Sequence, residues 1–398
     1  MEKILINIGM VGAGRATELH MGAYRHVKDV TPVYRAVISS TYEKAQAAKE
    51  LYGFGKAYHT LDELIADPKI DVIDICTPPS CHAEAIIKAL NAGKHVICEK
   101  PMTGYFGEPD DPTPIGTCVS KTDMYRRLMR NMEELKTAVA NAKGHFMYAE
   151  NFVYAPAVQK MAEIIAKKKS RILCLKGEES LKGSSSPVAG SWCKTGGGTF
   201  TRTGGHPLSA VLWLKQVEAR ARGVNIVPES VVADMGYITQ TLSEYEHRHI
   251  MANPIDVEDF GVCTITFSDK TKAIIIATDT LLGGSRNYVE AYCNDAVLMG
   301  NLTLNDMMST YFLDEERLDD VYLSEMLPSK LGWNKPFIVD EIVRGYVDEM
   351  QDFMEAAAYD RPAASGFSLA YDAARLTYAA YLSAETGRRI HLNEGQAI

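Results

Sequence analysis

The chain has 398 residues, 46% of them hydrophobic and 23% charged, the composition of a water-soluble globular protein. That length exceeds what a single hydrophobic core usually fills, so two domains are expected. A formal net charge of -9 argues against a surface built for nucleic acid phosphates. No apolar run approaches the ~20 residues of a membrane span. The eight cysteines are scattered without a C-x-x-C pair, which argues against both a secreted disulfide scaffold and zinc-ligand spacing. With no basic leader ahead of the first apolar stretch, the expected setting is the cytoplasm, with reduced thiols and no metal.

The opening stretch "ILINIGMVGAGRATELHMGAYRHV" reads as a strand, a glycine turn and a helix. In that context Gly12 permits the tight turn, and Gly14 lets a pyrophosphate approach the backbone at the helix N-terminus. The third glycine of the fingerprint is replaced by Thr17, so the turn alone does not separate a nucleotide site from an ordinary strand-helix connection. Further α/β units follow. "PVYRAVIS" is a strand and "TYEKAQAAKELYG" a helix stopped by glycine. "DVIDICT" is a buried strand leading to Pro78-Pro79, "CHAEAIIKALNAG" a helix, and "HVICEKP" the next strand. Alternating strands and helices imply a parallel, doubly wound sheet with its ligand outside the carboxyl ends of the strands.

The second half opens with the helix "YAPAVQKMAEIIAKKK". Strands follow in "RILCLKGEES", "VEDFGVCTITF" and "TKAIIIATDT", and the segment "GGGTFTRTGGHPL" leads into a helix with Pro207 in its first turn. Gly204 and Gly205 let the backbone turn tightly, or pass close to a ligand, immediately before His206. The closing residues are strongly helical.

"IDVIDICTPPSCHAEAIIKALNAGKHVICEKPM" resembles the signature of the Gfo/Idh/MocA family, the glucose-fructose oxidoreductase and inositol dehydrogenase-like proteins. A T-P-x-x-x-H segment is followed, after G-K-H-V, by an E-K-P strand end. The resemblance continues through "YAENFVYAP", the glycine-rich segment and "VEDFGVCTITFSDKTKAIIIATD", and is loose beyond residue 300. It implies an α/β protein: an N-terminal Rossmann domain (1–147, doubly wound parallel sheet) and a C-terminal α/β domain (148–398) with an open, largely antiparallel sheet that mediates homo-oligomer formation. It also implies hydride transfer between a nicotinamide cofactor and a secondary hydroxyl of a sugar, cyclitol or glycoside.

Carried over residue by residue, the resemblance puts Gly12, Gly14, Arg15 and Ala16 around the pyrophosphate. Thr77, Pro78, His82, Glu99 and Lys100 fall along the nicotinamide half. Lys100 and His206 become the proton-transfer pair, either or both taking the hydroxyl proton, and histidine suits this because it ordinarily titrates near neutrality. Ser39 occupies the ribose position where an acid usually marks NAD. No arginine stands there for a 2′-phosphate, so the reading favours NAD and leaves NADP open. Asn151, Tyr154 and Trp192 are candidate substrate contacts, Trp192 through a stacking face.

Two departures stand out. Residues 103–123, "TGYFGEPDDPTPIGTCVSKTD", intervene after E-K-P, in a composition unsuited to a core element. They read as an active-site flap, a subunit contact or a tolerated surface insertion. In the glycine-rich segment, Arg202 falls where the family has an aspartate and Ser209 where it has a second. Arginine does not deprotonate, so Arg202 either contacts the substrate or forms a structural ion pair. Two other activities stay open: a redox-neutral, NAD-assisted glycoside lyase or hydrolase, and a non-catalytic dinucleotide-binding regulator.

Overall fold

The computed structural model describes residues 3–303, 308–316, 318–319, 321, 323, 329–336 and 340–392. The first six strands are β1 (Ile4–Val11), β2 (Val30–Ile38), β3 (Lys56–Ala57), β4 (Val72–Ile75), β5 (His95–Glu99) and β6 (Phe146–Ala149). They form one sheet in the order β3-β2-β1-β4-β5-β6, every pair parallel. The uninterrupted apolar runs the sequence shows belong to strands covered by helices on both faces; Val72, Ile73, Ile75, Val96 and Ile97 are fully buried. Chain order reverses between β2 and β4 on either side of β1, which creates the crevice where such sheets hold ligands.

The second sheet contains β7 (Ile172–Ser180), β8 (Pro228–Gly236), β9 (Phe260–Phe267), β10 (Lys272–Thr278), β11 (Arg286–Cys293) and β12 (Val297–Asn301). Apart from a separate antiparallel pair, β13 (Thr310–Phe312) with β14 (Gly332–Asn334), the edge strand β15 (Ile390–His391) completes it in the order β12-β11-β7-β10-β9-β8-β15. Only β7 and β10 run parallel; the other pairs are antiparallel. One face is covered by helices Gly205–Arg222 and Phe367–Thr386. Along β11 the alternation puts Asn287, Val289 and Ala291 inward, and Tyr288, Glu290 and Tyr292 on the other, half-open face.

The expected boundary at 147/148 falls inside β6, whose Tyr148 and Ala149 still pair with β5, because the strand runs on to the carboxyl edge of the first sheet; the two halves are also packed together. Helix Tyr346–Ala358 lies against β1, β2 and helix Arg15–Tyr24 of the first sheet, burying Met350, Phe353 and Met354. Gln351 fixes it there, accepting from the Lys28 amide (2.7 Å) and donating to the Lys28 carbonyl (3.0 Å). Helix Phe367–Thr386 packs on both helix Lys121–Asn141 and β8.

The segment after E-K-P is more than a surface insertion. It is built into the junction between the two halves. Tyr105 is buried; its carbonyl accepts from the Trp192 indole (3.0 Å) and its amide donates to the Tyr378 hydroxyl (2.6 Å). Gly116 donates to the Asp256 carboxylate (2.9 Å), and a Cβ there would lie 1.8 Å from the Asp256 carbonyl oxygen. Tyr105, Ile115 and Val119 are the buried apolar anchors of the loop, while most of residues 108–114 between them are exposed. Its last three residues belong to helix Lys121–Asn141, capped by Ser120.

Candidate functional site

The nucleotide turn follows directly from β1. Gly12 has φ 119°, and a Cβ on it would lie 2.3 Å from the Cys76 carbonyl, so only glycine lets the ends of β1 and β4 meet this closely. The Gly12 amide donates to the Ile38 carbonyl (2.9 Å), which brings Ser39, at the end of β2, beside the turn. Gly14 caps helix Arg15–Tyr24 with extended backbone and no side-chain cap. Nothing lies within 4 Å of the Cβ it lacks. The helix N-terminus is therefore open, as a pyrophosphate requires. The Thr77 hydroxyl, just after β4, is buried without a hydrogen-bond partner. An uncovered helix end and an orphaned donor on neighbouring strand ends fit a dinucleotide. Arg15 lies in the first turn, in an exposed pair with Glu18 (2.8 Å), and Ala16 follows it.

His82 ties the next two strand ends together. It is buried, with Nε2 2.8 Å from the Thr77 carbonyl and Nδ1 2.8 Å from the Pro101 carbonyl. It thereby fixes Thr77-Pro78 against Lys100-Pro101, a positioning task that needs no contact with a ligand. Behind them, His20 lies between Asp74, 3.0 Å away at Nδ1, and Glu99, 3.3 Å away at Nε2. The Tyr24 hydroxyl also donates to Asp74 (2.7 Å). Burial acts to lower the pKa of His20, yet the Asp74 charge holds it well above the ordinary histidine value. Burial likewise acts to raise Glu99, and the bond and charge of His20, with Lys100 and His206 nearby, bring it below the usual carboxylate range. With Cys76, the group gathers three atoms of metal-ligand type in a wholly buried place.

On the far side stands the glycine-rich segment. Lys100 Nζ donates to the Arg202 carbonyl oxygen at 2.5 Å. His206 is buried in the first turn of helix Gly205–Arg222. Its Nδ1 lies 2.6 Å from Glu150 Oε1, and Phe152 stacks on its ring with centroids 4.9 Å apart. The glycines serve a carboxylate of the protein itself. The Glu258 side chain accepts from the Gly198 amide (2.9 Å), the Phe200 amide (2.9 Å) and the Tyr381 hydroxyl (2.8 Å). A Cβ on Gly198 would lie 1.9 Å from the Glu258 carbonyl oxygen. Burial nevertheless pushes Glu258 up to about 7.

Lys100, His206 and Arg202 thus converge, but the guanidinium of Arg202 points to Asp279, with which it forms a largely buried ion pair. The other three expected substrate contacts are engaged within the protein. Trp192 is fully buried against Tyr378 and Tyr381, so neither face of the indole is open to a sugar ring. The Tyr154 hydroxyl donates to Asp352 (2.7 Å) and accepts from the Ser365 amide (3.0 Å). The Asn151 side chain donates to the Arg344 carbonyl (3.0 Å). Each supports the site from behind. Glu150, Asp279 and Glu258 were not singled out from the sequence. The signal for Glu150 is present: like Glu99, it is an acid at the carboxyl end of an apolar strand of the first sheet.

Residues 6–111 match the family model GFO_IDH_MocA, described as an oxidoreductase family with an NAD-binding Rossmann fold. The chain is 32% identical to myo-inositol 2-dehydrogenase of Thermotoga maritima over 139 residues, 34% of this chain and 41% of that protein. It is 25% identical to levoglucosan dehydrogenase of Pseudarthrobacter phenanthrenivorans over 390 residues, 93% of each. Among solved structures, GenD2 from gentamicin A biosynthesis in complex with NAD aligns with a TM-score of 0.77 at 20% identity, covering 99% of this chain and 97% of that one. Levoglucosan dehydrogenase with NADH and levoglucosan aligns with a TM-score of 0.71 at 21% identity, covering 98% and 100%. These last two show the fold. The glycine turn, the E-K-P strand end and the parallel first sheet agree with these matches: residues 6–111 are similar to the NAD-binding Rossmann fold of the GFO_IDH_MocA oxidoreductase family.

Proposed function

We propose that the protein is an NAD-dependent dehydrogenase oxidising a secondary hydroxyl of an uncharged sugar, cyclitol or glycoside. The observation that carries this reading is that Lys100, anchored to the Arg202 carbonyl, and a Glu150-bound His206 both lie within electrostatic reach of Glu99 at the carboxyl end of β5. Gly12, Gly14, Arg15 and Ala16 hold the pyrophosphate, Ser39 the ribose, and Thr77, Pro78 and Glu99 the nicotinamide half, with His82 bracing that end. Bound NAD supplies the hydride acceptor. His206 takes the hydroxyl proton, while the Lys100 ammonium, anchored by one hydrogen bond to the Arg202 carbonyl, directs its remaining donors at the same oxygen. The Arg202 charge is already matched by Asp279, which favours a neutral polyol over a sugar acid.

We further propose that the half-open face of the second sheet, with Tyr288 and Tyr292 upon it, pairs with another copy of the chain. No helix among the described residues is long and apolar enough to cross a membrane. The free cysteines suit a reducing compartment.

The test is a panel of sugars, cyclitols and glycosides followed at the reduced-nicotinamide absorbance band. Stoichiometric reduction supports the dehydrogenase. Product without net reduction would replace it with a redox-neutral enzyme, and cofactor binding without turnover would replace it with a regulator. Lys100→Ala is expected to abolish turnover and leave NAD binding largely intact.

A further inference from the structure

We propose that Glu150 is the positioning residue of His206, fixing the ring tautomer that leaves Nε2 free to accept the substrate proton. The proposal rests on the reading of His206 as the base. Glu150 stands at the turn between β6 and the short helix Asn151–Tyr154, and it is wholly buried. Its Oε1 lies 2.6 Å from His206 Nδ1, and its Oε2 has no partner. Two residues on, Phe152 covers the imidazole face with an interplanar angle of 23°. One turn therefore holds the ring by its edge and by its plane. An ionised carboxylate only accepts, so Nδ1 must carry a proton, and the lone pair of the neutral ring sits on Nε2.

The charged groups around this pair come from several elements. Glu99 of β5 interacts electrostatically with both His206 and Lys100. Glu349, on helix Tyr346–Ala358, lies within electrostatic reach of Glu150 and Glu99, and Tyr148 of β6 faces Glu150 as well. Glu349 is fully buried with neither carboxyl oxygen bonded, and burial pushes its pKa well up.

In the reaction, the C–H bond breaks and its electron pair leaves with hydrogen as hydride to the nicotinamide. The O–H bond breaks to form Nε2–H, and the carbon–oxygen bond becomes double. His206 then carries a positive charge opposite Glu150 in a site of low dielectric, where such a pair is stronger than in water. Arg202 occupies the position at which the resemblance calls for an acid. The acid beside the histidine here comes instead from the end of β6.

Ring nitrogen-15 NMR of the whole protein reads the tautomer without substrate, the His206 signals being assigned by their loss in His206→Asn. Nδ1–H with a bare Nε2 is the expected result, and Nε2–H would overturn the proposal. In Glu150→Gln, kcat is expected to fall about 10- to 100-fold. The acidic limb of kcat/KM should move to lower pH by about one unit, because removing a carboxylate destabilises the imidazolium. NAD affinity should stay within roughly two-fold and Glu150→Asp should restore part of the rate. An unchanged limb with near wild-type kcat would sink the idea. If wild type oxidises no polyol, the proposed activity fails, while the tautomer still decides the role of Glu150. The wild-type spectrum also decides it if the glutamine variant does not fold.

Discussion

Gly198→Ala tests whether the glycine-rich segment is shaped by the carboxylate it encloses. The added Cβ would lie 1.9 Å from the Glu258 carbonyl oxygen and 2.5 Å from its Oε2, so the segment must move by an ångström or more. Overpacking of this kind costs about 1–3 kcal/mol. The movement also weakens the 2.9 Å bonds from the Gly198 and Phe200 amides to Glu258, and hydrogen bonds to charged groups are worth about 1.5–3 kcal/mol each. A total loss of about 3–5 kcal/mol follows if the bonds are only partly lost. With an unfolding entropy of ~2.1 cal/mol/K per residue, the whole chain gives ~0.8 kcal/mol/K, so Tm should fall by about 4–6 °C. The Arg202 carbonyl that anchors Lys100 lies on the same short turn, and misplacing a catalytic group by ~1 Å costs about 100-fold in rate. Thermal denaturation and steady-state kinetics on the purified variant read both effects. A variant melting within about 1 °C of wild type with unchanged kcat would refute the argument.

Three further expectations concern the same region. Arg202→Ala leaves the buried Asp279 uncompensated and should destabilise by about 3–5 kcal/mol in chemical denaturation, with Arg202→Met plus Asp279→Asn recovering most of it; unaltered stability with a much higher KM would make Arg202 a substrate ligand instead. Glu258, raised from 4.5 to about 7 by burial, binds its proton more tightly folded than unfolded. Its contribution is complete below the unfolded value and lost as pH rises toward 7, by ~3 kcal/mol. Urea midpoints from about pH 4 to 8 should therefore fall less steeply for Glu258→Gln than for wild type, and parallel curves would contradict this. Gly205→Ala adds a Cβ that meets nothing within 4 Å in a helical turn and should stabilise by about 0.5–1 kcal/mol; a lowered Tm would mean the cleft is tighter than the geometry indicates.

The first sheet was legible in the sequence because its signals are local. Apolar runs, glycine stops and strand-helix alternation placed β1, β2, β4 and β5 within a residue or two, and E-K-P marked the end of β5. The helix expected from His206 starts at Gly205. What could not be read was pairing across distance. The partner of Arg202 is 77 residues away at Asp279, and that of His206 is 56 residues away at Glu150. Neither separation leaves a periodic trace. Trp192 illustrates the converse error: an aromatic in a polar, glycine-flanked stretch suggests a stacking face, but burial against Tyr378 and Tyr381 is set by a helix nearly two hundred residues later. The composition of the 103–123 segment is an average, while its placement depends on a few buried apolar residues and on hydrogen bonds through Tyr105 and Gly116 to distant partners.

The return of helix Tyr346–Ala358 to β1 and β2 has a consequence for biosynthesis. The half that holds the dinucleotide turn is translated first, yet the side chains that seal its flank, Met350, Phe353 and Met354, are made only after strands β7 to β14. Until then the nascent Rossmann sheet carries an uncovered apolar flank through most of translation, a state in which chaperones engage growing chains. Competence to bind NAD should therefore be acquired after synthesis of the helix, and a fragment cut after the sixth strand should precipitate rather than fold.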